Sequence, residues 1–180
     1  MRRSQGVVLA ALGALWLATS VRAAEPPPIA APALAGTDKL TLQRLHDANQ
    51  TQSAMGKLAA EKGATRAVRD FGQRIVNDSM VADRKLDEYM RTRGTDLTAL
   101  ATTTDADADH ELLATKFGFD FDRAFVQQTM QDLQDTVDLL GSARVETADD
   151  TLRLLYDDLA RTVNADKKAA EDLLTGMTRS

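Results

Sequence analysis

The sequence predicts an all-α protein built as a four-helix bundle, on three observations. No proline occurs between residues 37 and 180, so nothing there forces a helix to break. Four segments in that stretch place apolar residues three and four positions apart, the spacing of one helix face. Two of the three connections between them are short and the middle one is long, which gives two antiparallel hairpins joined by a crossover.

The first segment is expected from about Asp38 to Lys62, with Leu45, Ala48, Gln52, Met55 and Ala59 on one stripe. Gly63 follows where a helix C-terminus favours a left-handed residue. The second starts near Thr65, a good N-cap, and carries Val68, Phe71, Ile75, Ala82, Leu86 and Tyr89 before Gly94 ends it. The third begins near Asp120 with Phe121, Phe125, Thr129, Thr136, Leu140 and Ala143 inward. The fourth opens with Thr147 and Asp150, spaced as a capping box with Asp in place of Glu. Its stripe is Leu152, Leu155, Leu159, Thr162, Ala169 and Leu173, and Gly176 follows.

Residues Gly94 to Gly118 are long enough to run the length of the bundle, which is the ferritin-like connection rather than plain up-down-up-down. Asp105 to Lys116 is expected to add a short helix within it. The fold class is therefore all-α, a ferritin-like four-helix bundle with a long crossover between helices two and three.

Residues 1–23 read as a signal peptide. Arg2 and Arg3 are followed by an apolar stretch from Val7 to Ala18, and Val21-Arg22-Ala23 supplies small residues at the −3 and −1 positions of a cleavage site. The apolar stretch is shorter than the ~20 residues that span a bilayer. All four prolines lie at 26, 27, 28 and 32, so residues 24–36 read as an extended Pro/Ala-rich tether and 37–180 as the bundle domain. The expected product is exported, periplasmic or secreted, with no stable membrane insertion once the leader is removed.

Composition narrows function further. The chain has no cysteine, hence no disulfide and no thiolate ligand. Without Arg2, Arg3 and Arg22 it carries 19 basic against 27 acidic side chains, a net of −8. That charge repels phosphate backbones, so nucleic acid is not an expected partner.

Catalytic chemistry finds few candidates. There is no Gly-x-Ser-x-Gly, and only His46 and His110 offer an imidazole. Asp105-Ala-Asp107-Ala-Asp109 starts like a calcium loop, but His110 and Lys116 stand where such a loop needs glycine and glutamate. Di-iron bundles use inward Glu and Glu-x-x-His ligands. None of Glu25, Glu61, Glu88, Glu111, Glu146 and Glu171 is followed by histidine three residues on. One polar residue per helix does fall on or beside the inward stripe: Gln52, Asp78, Asp132 and Asp166. A buried carboxylate needs a partner, a proton or a metal, and Arg74, Arg123 and Arg161 are the available partners. Gly56 and Gly72 would let two backbones approach or leave room for a small apolar ligand.

Three stretches carry a family resemblance: Met55-Gly-Lys-Leu-Ala-Ala-Glu61, Val68-Arg-Asp-Phe-Gly-Gln-Arg-Ile-Val-Asn-Asp78 and Phe121-Asp-Arg-Ala-Phe-Val126. In these, and in segment order over about Lys39 to Leu174, the chain resembles the bacterial exported family of unknown function numbered 4142, the "predicted outer membrane protein" family regarded as ferritin-like. The resemblance implies a ferritin-like bundle whose centre carries Asp-His in helices two and three, a histidine in helix four and a glutamate in helix one. Here those places read Asp78-Ser79, Asp132-Leu133, about Ala165-Asp166, and Gln52, so every imidazole is lost. Carboxylates replace such nitrogen ligands poorly for borderline metals.

The sequence thus favours a non-enzymatic exported bundle with no cofactor, acting in the envelope or under stress through a protein partner or self-association. The alternative is a metal-binding bundle with a degenerate site at Gln52, Asp78, Asp132 and Asp166.

Overall fold

A computed structural model describes residues 34–97, 111 and 113–178. Its helices are α1 (Gly36–Lys62), α2 (Arg66–Thr92), α3 (Gly118–Glu146) and α4 (Asp150–Thr178). No strand occurs among the described residues, and no helix among them is long and apolar enough to cross a membrane. The leader, the tether through residue 33, the whole acidic run at 105–109 and His110 lie outside the described residues. Of the short helix expected at 105–116, residues 111, 113 and 114 are helical.

Cross-helix bonds fix the topology. Asp122 of α3 accepts from the backbone N–H groups of Ala64 and Thr65. The end of α1 and the starts of α2 and α3 therefore share one pole. At the other pole the Tyr89 hydroxyl of α2 donates to Asp149, just before α4. Helices α2 and α3 consequently run in the same direction, so the connection leaves α2 at one pole and enters α3 at the other. Helices of 27 residues are about 40 Å long, well within reach of the connection. α1 packs on α2 and α3, and α4 packs on the same two. This is the expected ferritin-like arrangement.

Several termini obey the local rules. Thr65 caps α2, its hydroxyl accepting from the Val68 N–H at 3.3 Å. Gly94 ends α2 with φ +72°, a conformation costly for side-chain-bearing residues. Other termini differ from expectation. Gly63 has φ −52° rather than a left-handed conformation. Glycine is needed there for space, since a Cβ would sit 2.7 Å from the Ala59 carbonyl and 3.1 Å from Val68. Asp149, not Thr147, caps α4: its Oδ1 accepts from the N–H groups of Thr151 and Leu152 at 2.9 and 3.2 Å. The helix then runs through Gly176 to Thr178.

The core divides into two apolar compartments. Near the Asp149 pole, Leu42, Leu45, Leu86, Met90, Leu152 and Tyr156 are among the buried residues. Near the Asp122 pole, Met55, Val68, Phe71, Ile75, Phe121 and Phe125 pack together, with the rings of Phe121 and Phe125 stacked. Here α1 and α2 touch through backbone. A Cβ on Gly72 would lie 2.6 Å from the Gly56 carbonyl, and one on Gly56 2.7 Å from the Gly72 carbonyl. These two glycines bring the helices together. Between the compartments lies a polar waist.

Candidate functional site

The waist forms because each helix places a polar or small residue at mid-height. Gln52 comes from α1, Asp78 and Ser79 from α2, Thr136 from α3, and Thr162 and Asp166 from α4; all line a cavity of about 70 Å³. Apolar walls come from Leu45, Ile75, Leu133, Leu140, Leu159 and Val163. Ser79 and Leu133 stand at two of the places where the family resemblance implied imidazoles.

Helical spacing brought Gln52, Asp78 and Asp166 to one cavity, but Asp132 lies outside it. Asp132 accepts from Gln52 Nε2 at 3.2 Å and Gln128 Nε2 at 2.9 Å, and with Gln52 it lines a separate groove of about 230 Å³. The four polar residues therefore form two pairs, Gln52 with Asp132 and Asp78 with Asp166, and Gln52 lines both spaces. In the second pair, Arg74 Nε lies 2.7 Å from Asp166 Oδ1 and 3.5 Å from Asp78 Oδ2. Arg74 is thus the cation that offsets the buried charge. Arg161 turns instead to Asp158 at 2.7 Å.

Asp166 is buried, and its carboxyl is pushed up to about 6. Exclusion from water is the main cause and the Asp78 carboxylate adds to it, while Arg74 works against both. Gln52 Oε1 is buried with no hydrogen-bond partner. Among the described residues, no three His, Cys, Asp or Glu side chains gather so as to hold a metal ion.

Other carboxylates organise the bundle. Asp83 takes His46 Nδ1 at 3.1 Å, Asn49 Nδ2 at 2.8 Å and Gln50 Nε2 at 2.6 Å, pinning α1 to α2. His46 is thereby engaged in a helix–helix clamp. At the far pole Asp149 receives Tyr89 and Arg93. Burial works to raise the Asp149 carboxyl, but the Tyr89 hydroxyl, the Leu152 and Thr151 N–H groups and Arg93 outweigh it, so its pKa is lowered. Burial and the same contact push the Tyr89 hydroxyl up to about 12.

Sequence reasoning did not single out Asp122 or Asp149. For Asp122 a signal existed. Phe121, Asp122, Phe125 and Val126 follow an i, i+1, i+4, i+5 pattern that puts all four inward, and all four are buried.

The fold and waist define an all-α, ferritin-like bundle with one long crossover and a small polar cavity at its centre. Residues 23–173 match the family described as Domain of unknown function (DUF4142), and the chain belongs to that family. No curated protein matches it in sequence. Among solved structures it is similar to a DUF305 fragment from Deinococcus radiodurans, at 14% identity and TM-score 0.69, covering 80% of this chain and 99% of that one. It is also similar to CopM in its Cu(II)-bound form, at 19% identity and TM-score 0.66, covering 77% and 96%. For the Cu(I)-bound form of CopM the values are 22%, 0.64, 79% and 98%. At these identities the likeness is one of fold.

Proposed function

We propose that this protein is a non-enzymatic helical bundle, exported to the periplasm or beyond, that acts in the envelope by interaction with a protein partner. The observation that carries the reading is how the central charges are used. Arg74 answers Asp166 and Asp78, Gln52 and Gln128 answer Asp132, and His46 is held by Asp83. Charges paired across helices in this way hold the bundle together; they are not poised to attack a substrate. The surface supports the same reading. Phe117 and Phe119 are 74% and 73% exposed at the start of α3, with Lys62 lying 4.5 Å over the Phe117 ring. Exposed aromatics beside a cation suit an acidic, partly apolar protein patch. Lys116 and Arg123 border the same surface.

The test is photo-crosslinking from a probe at Phe119 in the producing cell, with fractionation and mass determination. A processed chain outside the cytoplasm, giving one discrete adduct that disappears with Phe117→Ser, is the expected result. An unprocessed cytoplasmic chain, or no adduct, refutes the proposal.

A second reading, metal binding at Gln52, Asp78, Asp132 and Asp166, draws support from the buried Asp166 carboxyl and from the fold shared with copper-bound CopM. Elemental analysis after native purification decides it: stoichiometric metal that is lost in Asp78→Ala is required.

A further inference from the structure

We infer that the waist cavity is a binding site for a small protonated amine, of the size of methyl- to propylammonium. The inference stands apart from the interaction role, because it rests on the cavity and not on the surface.

Hydrogen-bond accounting gives the sign of the ligand. Three donors around the cavity are turned elsewhere, and the Ser79 and Thr162 hydroxyls that also line it can accept as well as donate. Asn49 donates to Asp83, Lys85 to Asp158 at 2.5 Å, and Thr136 to the Asp132 carbonyl. The acceptors face the opposite situation. Gln52 is 5% exposed and its Oε1 accepts from no protein group. Its amide nitrogen is committed to Asp132, outside the cavity. The carboxylates of Asp78 and Asp166 share a single arginine. A surplus of acceptors calls for a guest that brings N–H donors.

Charge gives its valence. Asp78 and Asp166 against Arg74 leave one negative charge in the cavity wall and room for one positive charge, while Lys85 turns away to Asp158, which the exposed Arg161 also reaches. A divalent metal would need further charged or imidazole ligands, and no such trio gathers among the described residues. Shape gives its size and its tail. A space of about 70 Å³ is about half of the ~150 Å³ that admits benzene, so a few heavy atoms fit. Leu45, Leu133, Leu140, Leu159 and Val163 offer an apolar wall to a short alkyl chain. The ammonium would bind Gln52 Oε1 and Asp166, with the Ser79 and Thr162 hydroxyls beside them.

Calorimetric titration of the purified chain with ethylammonium chloride at pH 8 tests this, using ethanol, potassium chloride and magnesium chloride as comparison titrants. The expected result is one saturable site per chain for ethylammonium and none for the others. Asp166→Asn and Gln52→Leu should each weaken it at least about tenfold, and Ser79→Leu, which fills the space, should abolish it. Circular dichroism and cooperative melting establish that each variant is folded; if one is not, Thr162→Val replaces it, with weakened binding again expected. Absence of ethylammonium binding, equal uptake of ethanol, preference for potassium or magnesium, or undiminished binding in folded Asp166→Asn overturns the inference.

Discussion

Asp122→Ala should be among the most damaging single changes outside the apolar core. The Asp122 carboxylate is fully buried. It accepts three hydrogen bonds, from Ala64 N at 2.8 Å, Thr65 N at 2.9 Å and Thr65 Oγ1 at 2.8 Å. It therefore holds the α1–α2 turn onto α3, across the gap between the two hairpins. Each bond to a charged acceptor is worth about 1.5–3 kcal/mol. Their plain sum overstates the loss, because the exposed Ala64 amide regains water and deleting the carboxylate removes its own desolvation cost. About 3 kcal/mol is the net expectation, which for a bundle of this length lowers Tm by about 10 °C. Asp122→Asn should be nearly as harmful, since its NH2 would face donors. Thermal melting followed at 222 nm measures the first quantity, and hydrogen exchange at the Ala64 and Thr65 amides reports whether the turn has come loose. A Tm within about 2 °C of the parent, with unchanged exchange at both amides, would refute the reasoning.

The remaining predictions concern glycines and protons. Gly72→Ala must push α1 and α2 apart, because the new Cβ meets backbone of Gly56 and Ala60 at 2.6 and 2.8 Å; a loss of about 2–3 kcal/mol in urea unfolding is expected. Gly141→Ala, on the exposed face of α3 with nothing within 4 Å of the added carbon, should instead stabilise by about 0.5–1 kcal/mol. The Asp166 carboxyl is pushed up to about 6 from its ordinary 3.8, so its favourable contribution is complete below the lower value and is lost as pH rises through the upper one. Stability should decline by up to about 3 kcal/mol from that group between pH 4 and 7, and Asp166→Asn should flatten the decline in a urea series. Asp149 and Asp158 are shifted the other way, Asp158 by Lys85 and then Arg161. Their contributions disappear as pH falls below about 4, so parent and Asp166→Asn curves should converge in shape on the acid side. Tyr89→Phe removes the donor to Asp149 and should cost about 1–2 kcal/mol by thermal melting.

Helix number, order and crossover were legible because they depend only on periodicity, proline placement and connection length. Rotation about a helix axis was less so. On α4, Leu155, Ala169 and Leu173 were expected inward, whereas Tyr156 and Ala170 are fully buried and the expected three are half-buried. A shift of one residue turns a helix face by about 100°, and that stripe is broad enough to admit either setting. At the waist, the sequence offered Arg74 as a partner for the inward carboxylates, as found for Asp78 and Asp166, but not the turn of Asp132 to Gln52 and Gln128. Whether the Gln52 amide turns to Asp132 or to Asp166 depends on rotamers set by four helices at once. Asp149 illustrates a third limit. Three polar residues, Thr147, Asp149 and Asp150, compete for the start of α4, and Tyr89 and Arg93, more than fifty residues away in sequence, are the neighbours that hold Asp149 in place.

The division of the core into two greasy blocks separated by a polar layer has an evolutionary consequence. Cohesion resides in the blocks, each of which draws on all four helices, so the layer between them can change its residues without undoing the architecture. A lineage that keeps both ends intact is at liberty to install, discard or replace whatever chemistry the middle performs.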